Sequence, residues 1–335
     1  MKLRVASAIV WTCVSLLIVL PLTAWAALAL WYRLSTTPVE GIIAACAFIL
    51  LGLGSMAALF TRHRAKGAVC FAVAFGGLLI WWSTVAPPDH GDWAPEVARQ
   101  TTGILRGDVL TLSDVREFEW RSESGFDERW LERSYDLAKL KTVDLFLSYW
   151  GGPQMAHLIM SFGFDGGEQL AWSIEVRRKK DSQYSPIADA FKTDTVVYLA
   201  TSERDTVRLR TNVRGEDVRL YRLRMPPEQA RALLLRYVEE ANALSAKPAF
   251  YNSITTNCTT AVAKMMRATG DNLPLDWRLI INGYLPGYLY DHGAVVTTIP
   301  LRQVTALARI DDRARAADQS PEFSRLIRIG VPSPR

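Results

Sequence analysis

Cys258 is the only cysteine outside the apolar first quarter of this 335-residue chain; Cys13, Cys46 and Cys70 all lie in apolar runs. Asn257 before it is a good helix N-cap and Gly270 after it a good stop, which predicts Cys258 in the first turn of a helix. Free backbone N–H groups and the helix dipole stabilise a thiolate there, and the same N–H groups can hold an oxyanion. A nucleophile is therefore one reading. A small buried side chain or an intermolecular disulfide is the other, because thiols on an oxidising side usually pair. No CxxC, HxxxH or comparable cluster is present outside the apolar region, so no metal site and no cofactor is expected.

A nucleophilic cysteine needs a base. Residues 157–164 and 170–176 alternate in polarity around Asp165-Gly166-Gly167-Glu168, which reads as a hairpin turn. An odd loop puts Leu158, Met160, Phe162 and Phe164 on one face with Leu170, Trp172, Ile174 and Val176. The expected register sets Asp165 opposite Gln169 and Ser161 opposite Ser173. His157, Ser161 and Glu175 then share the other face, with Glu175 diagonal to His157. A histidine held by an acid on adjacent strands, facing a cysteine at a helix start, suits thiol catalysis. A satisfied sheet histidine and a salt-bridged strand carboxylate are the plainer readings of the same pair. His90 falls in a solvated linker. His292 lies in a loop, and as base it would leave a short gap of about 34 residues for an intervening sheet. Asn257, Ser161 and Tyr251 are supporting candidates, each as easily structural.

The elements that position these residues start in a membrane. Residues 5–31, 41–60 and 68–86 are apolar runs long enough to cross a bilayer as helices, making residues 1–86 a transmembrane anchor. Lys2 and Arg4 before the first run, and Arg62, Arg64 and Lys66 between the second and third, place those ends in the cytoplasm. The chain then leaves the third span on the outside, with Trp31, Tyr32, Trp81 and Trp82 at the outer ends. Ala24-Trp25-Ala26 resembles a signal-peptidase site, so a cleaved first span is an alternative. Gly54 with Ala58, and Ala72 with Gly76, offer small surfaces for helix packing. Residues 87–109 read as a linker and 110–335 as one α+β domain, an antiparallel sheet packed on helices. Within it, Asp127–Lys141 is predicted helical. Residues 143–149, 195–200, 207–210 and 218–223 are predicted strands. A helix is predicted over 227–246, and short helices over 300–330. The net charge of +5 and pI near 9.0 suit anionic head groups, and the interspersed charges give no nucleic-acid signature.

Five segments carry a resemblance: RSESGFDERW from Arg121, YDLAKLKTVDLFLSYWG from Tyr135, HLIMSFGFDGGEQLAWSIEVRR from His157, ERDTVRLRTNVRGEDVRLY from Glu203 and YNSITTNCTT from Tyr251. Together, over about residues 110–275, they resemble the family named for the N-terminal periplasmic domain of the lipoprotein N-acyltransferase Lnb. The resemblance implies a permuted papain-like fold related to NlpC-type peptidases. It implies Cys258 as nucleophile, His157 as base and Glu175 as orienting acid. The spans here precede the domain, whereas in Lnb membrane helices follow it, so the catalytic pair transfers more safely than the acceptor. The expectation is a thiol acyltransferase or hydrolase anchored in the bacterial inner membrane, its domain periplasmic, with phospholipid and lipoprotein as substrate candidates. The alternatives are a cell-wall peptidase or amidase of NlpC type, and a non-catalytic envelope binding or scaffold protein.

Overall fold

The computed structural model describes residues 9–34, 38–253, 255, 257–270 and 274–334. Lys2, Arg4, the start of the first apolar run and Thr256 lie outside them. The chain divides into two compact units, Met1–Pro88 with Ser185–Thr193, and Asp89–Tyr184 with Asp194–Arg335.

The first unit holds three helices, α1 (Ile9–Arg33), α2 (Pro38–Leu59) and α3 (Arg64–Thr84), each long and apolar enough to span a bilayer. Outward-facing Ile, Leu and Val side chains on all three are what a lipid solvent requires. The close approaches are not at Gly54 or Gly76, which have open space beside them. They occur where Gly52 meets Thr23 and Gly67 meets Ala58. Composition marks small residues but not which helix face meets a neighbour. Phe191 from the short return segment stacks on Tyr32, and the Lys192 ammonium donates to the Trp82 carbonyl at 2.8 Å.

The second unit is a mixed eight-strand sheet with helices on both faces. Its strands are β1 (Thr102–Arg106), β2 (Val109–Arg116), β5 (Trp130–Asp136), β6 (Leu140–Tyr149), β7 (Ala156–Phe164), β8 (Gln169–Arg177), β9 (Thr195–Thr201) and β10 (Asp217–Arg222). They run β1-β2-β9-β8-β7-β6-β10 across the sheet, with β5 also on β2. A separate pair, β3 (Glu119–Trp120) and β4 (Phe126–Asp127), lies off it. The expected all-antiparallel sheet is corrected at one place: β2 meets β9 in parallel at Arg116 and Thr201. Thr102–Arg106, inside the expected linker, pairs along β2 instead.

Three other expectations are corrected. The span Asp127–Lys141 runs from the end of β4 through β5 and a single 3-10 turn into the start of β6, and is not a helix. Its spacing of Trp130, Leu131, Leu137 and Leu140 suits a helix, yet burial alternates, with Glu132 and Ser134 exposed and Tyr135 buried, as pairing with β2 demands. Val207–Arg210 is not a strand either. It belongs to α4 (Glu203–Arg208) and the π-turn Leu209–Val213 that continues it. Ser202 caps this helix through its hydroxyl, and Glu203 and Asp205 favour its first turn. Finally, the β7–β8 register differs by two residues from the expected one. Ser161 pairs with Ala171, Ile159 with Ser173 and Gly163 with Gln169. Gly166 and Gly167 take φ of +95° and +89° in the loop, conformations that need glycine. The loop stays odd, so both apolar faces remain as expected.

Both sheet faces are covered. On one, Leu158, Met160, Phe162 and Trp172 pack under α5 (Pro227–Ala246) and α6 (Cys258–Ala268) through Leu233, Leu234, Tyr237 and Val262. On the other, Phe146, Ile159 and Ala171 meet Val207, and beyond it Ala314 and Phe323 from the short C-terminal helices. After α6 come α7 (Leu285–Asp291), α8 (Leu301–Ala308), α9 (Asp311–Ala317) and α10 (Phe323–Leu326).

Candidate active site

The N-terminus of α6 abuts the first residues of β7, and there Cys258 meets His157. Asn257 builds this end of the helix. Its side-chain oxygen accepts from Thr259 N and Thr260 N at 3.0 and 2.9 Å, and Thr260 bonds back to the Asn257 N–H at 3.0 Å. That capping box consumes two of the free N–H groups of the first turn. The N–H of Cys258 itself has no acceptor among the described residues, so it stays open to a ligand.

Cys258 and His157 line one cavity wall, close enough that each shifts the other's titration, and the Leu158 N–H acts on the same sulfur. The other side of the imidazole is occupied. His157 Nε2 lies 2.7 Å from Ser173 Oγ and 3.1 Å from Glu175 Oε1, and Ser173 donates to Glu175 at 2.6 Å. Because the Ser173 proton goes to Glu175, the hydroxyl can only accept from His157, so Nε2 carries a proton. Nδ1 is then the nitrogen left for the thiol. Continuing the β7–β8 register two residues beyond the Ile159–Ser173 pair brings Glu175 opposite His157, not diagonal to it.

Burial pushes the Cys258 thiol up, but the neighbouring His157 imidazole, the Leu158 N–H and the Thr259 hydroxyl bring it below its ordinary value. For His157, burial and the Arg210 charge pull down, while Glu175 and the nearby Cys258 sulfur outweigh them and raise it. Burial also opposes Glu175 ionisation, yet His157 and Arg210 hold the carboxyl well below its usual range. The directions describe a sulfur that loses its proton readily and an imidazole that keeps one.

These groups open into a cavity of about 830 Å³. Tyr251 lines it, and so does Asn257, whose amide nitrogen already donates to Ser253 O at 2.9 Å. Ser161 does not. It is fully buried farther along β7, bonded to Glu203 at 2.5 Å in a cluster completed by Arg328 and Asp144. His90 is exposed, and His292 bonds Tyr288 O at 2.8 Å beside a different cavity.

Three residues of the site were not anticipated. Ser173 sits on the same strand face as Glu175, a signal legible from the alternation. Arg210, which reaches Glu175 at 3.0 Å, was hidden by the strand reading of its segment. Asn282 opens a single 3-10 turn, Asn282–Tyr284, with no periodic signal. Its amide brackets Ala156 N and O at 2.9 and 2.6 Å, donates to Thr259 Oγ1 at 2.8 Å and lies 3.9 Å from Cys258 Sγ. Gly283 permits this: a methyl group there would sit 2.1 Å from the Pro153 carbonyl oxygen. Gly283→Ala is expected to cost about 1–3 kcal/mol, the usual range for overpacking. A thermal melt lowered by several degrees checks it, and an unchanged melt sinks it.

No curated protein and no solved structure matches the chain. Residues 126–283, which hold His157, Glu175 and Cys258, match the family model of the Lnb N-terminal periplasmic domain, and three candidate membrane spans precede the matched segment.

Proposed function

We propose that this domain is a permuted papain-like thiol enzyme, related to NlpC-type peptidases, that transfers or hydrolyses acyl groups at the periplasmic face of the inner membrane. One observation carries the reading: Cys258, at a helix N-terminus, lines one cavity with an imidazole whose Nε2 is held by Ser173 and Glu175. His157 and Glu175 precede Cys258 in the chain, which is the permuted order. The membrane spans favour a lipid acyl donor over a wall peptide.

In the proposed cycle, His157 Nδ1 takes the thiol proton and the thiolate attacks an ester carbonyl carbon. The N–H of Cys258 faces the resulting oxyanion. As the tetrahedral species collapses, the ester C–O bond breaks and the departing alcohol oxygen takes the proton from His157. An acyl thioester remains. An amine then attacks that carbonyl, gives its proton to His157 and expels the thiolate; water in place of the amine releases a fatty acid. Glu175 and Ser173 keep the ring oriented throughout.

Full-length protein in detergent, incubated with a diacyl phospholipid, is expected to gain one acyl group by intact mass. The adduct should be removed by hydroxylamine and absent from Cys258→Ser. An adduct formed only with a cell-wall peptide would make it an amidase. No adduct with either, and no phenotype from Cys258→Ser, would leave a binding or scaffold protein.

The pH dependence follows from the two directions. Activity should rise as Cys258 ionises, at a pH below that of an ordinary thiol. It should fall again only when His157 loses its proton, at a pH above that of an ordinary imidazole. A turnover profile that rises monotonically to pH 10 would refute this assignment of roles.

A further inference from the structure

The cavity over Cys258 holds a cation that none of the steps above uses. Arg214, at the end of the π-turn after α4, lines it. No hydrogen bond to its guanidinium occurs among the described residues. Its charge is matched only loosely, by Glu216 at 3.7 Å and Glu123 at 4.0 Å. Its neighbours differ in this respect. Arg210 is bound to Glu175 at 3.0 Å, and Arg116 grips Asp205 through two bonds of 2.9 Å. Glu216 is also shared, accepting from Ser148 and lying 3.4 Å from Arg210. Glu123 is 70% exposed, on the turn between β3 and β4, so water screens it. The Arg214 guanidinium, a fork suited to a phosphate or carboxylate, thus borders a part-enclosed space in which Glu96, Glu175 and Glu216 are engaged with other arginines and Glu123 is solvated.

The same cavity has an apolar side. Trp150, Met155, Ile280 and Ile281 line it and are all exposed, although large apolar side chains are normally covered. A ligand that satisfies both halves carries an anion and a hydrocarbon chain. An arginine and an apolar wall in one cavity with a reactive thiol select for that amphiphile.

We infer that Arg214 is the anion-binding residue of the Cys258 cavity, receiving the phosphodiester of an acyl-bearing amphiphile, with Glu123 occupying its charge when the cavity is empty. The inference rests on the acyl-transfer reading for its choice of an acyl ligand, but the binding site can be tested without turnover.

The experiment measures protection of Cys258 from a small alkylator in full-length protein held in neutral detergent. The probes are dioctanoyl phosphatidylglycerol, dioctanoylglycerol and inorganic phosphate. Phosphatidylglycerol should protect the wild type. Arg214→Gln should need about tenfold more of it or beyond, the usual scale of a charge-assisted bond, and Arg214→Lys clearly less than that. Dioctanoylglycerol protection should not change between variants. Glu123→Gln, on an exposed turn where misfolding is no concern, should tighten phosphatidylglycerol binding about twofold by removing the competing carboxylate. Equal shifts for both lipids, no shift for either, or weaker binding in Glu123→Gln overturns the assignment. Protection by inorganic phosphate equal to that of the lipid overturns the amphiphile and leaves a phosphate site. An acyl thioester that forms equally well on Arg214→Gln sinks this site and spares acyl transfer. Arg214-dependent protection without any thioester does the reverse.

Discussion

Alanine in place of His157 is expected to lower turnover by about 10²–10⁴, the range for loss of a positioned general base. It should also slow alkylation of Cys258 at neutral pH. The sign follows from what stays behind. Burial raises the thiol, and His157 supplies the two largest influences that lower it. With the imidazole gone, only the Leu158 N–H and the Thr259 hydroxyl oppose burial, so the thiol should titrate at higher pH. Each unit of that rise removes about tenfold of the thiolate present at pH 7. Ser173→Ala and Glu175→Gln should give smaller losses, because each leaves one Nε2 partner in place. Measuring the alkylation rate across pH 5 to 9 separates the outcomes. A displaced profile supports an activated thiolate, and an unmoved one means that His157 does not govern the sulfur.

The candidate pair was readable because two local rules point to it. Asn257 before an apolar-periodic segment announces a helix start, and strict alternation on both sides of two glycines announces a hairpin. Alternation determines which side chains share a face, and an odd loop preserves that parity at any odd length. It does not determine the loop length itself, which is why Glu175 proved to be opposite His157. Tertiary partners defeated the remaining readings. Nothing within Trp130–Asp136 announces that it will pair with β2 rather than coil, and its apolar spacing suits either state. Val207–Arg210 looks β-prone until Ser202 caps it from outside the segment. Arg210 and Asn282 reach the site from 35 residues beyond Glu175 and 24 beyond Cys258, distances at which no pattern rule operates.

The site also depends on an anchor that no local pattern could reveal. Arg116 on β2 and Asp205 in α4 stand 89 residues apart and form a fully buried bidentate pair, both bonds 2.9 Å. Asp205 accepts two further bonds, from Phe118 N at 2.9 Å and from Trp120 Nε1 at 2.8 Å. One carboxylate therefore ties the end of β2, the start of β3 and the first turn of α4 together. That turn leads directly into the segment carrying Arg210 and Arg214. Such a pair adds little net stability over an apolar replacement of the same shape, because desolvation offsets attraction. Removing one member alone strands the other charge in the interior.

Asp205→Ala should accordingly cost about 3–5 kcal/mol, the range for an orphaned buried partner. For a unit of this size that corresponds to a melting temperature lower by roughly 10 °C. Beyond the unpaired guanidinium, the Trp120 indole N–H and the Phe118 N–H lose their acceptor while both residues are buried. Arg116→Met should cost less, since the carboxylate it leaves keeps two N–H donors and the methionine fills the volume. The double variant should recover part of the Asp205→Ala loss, because it removes the stranded charge. This ordering separates electrostatic stranding from simple loss of packing, in which the double variant would be worst of all. The tryptophan emission offers a second, local reading. In Asp205→Ala, water entering around Trp120, which is 1% exposed in the native fold, should shift its emission to the red before the global transition. A melt within a degree or two of wild type would mean that the four bonds to Asp205 do not hold α4 in place. The position of Arg210 against Glu175 would then need another support.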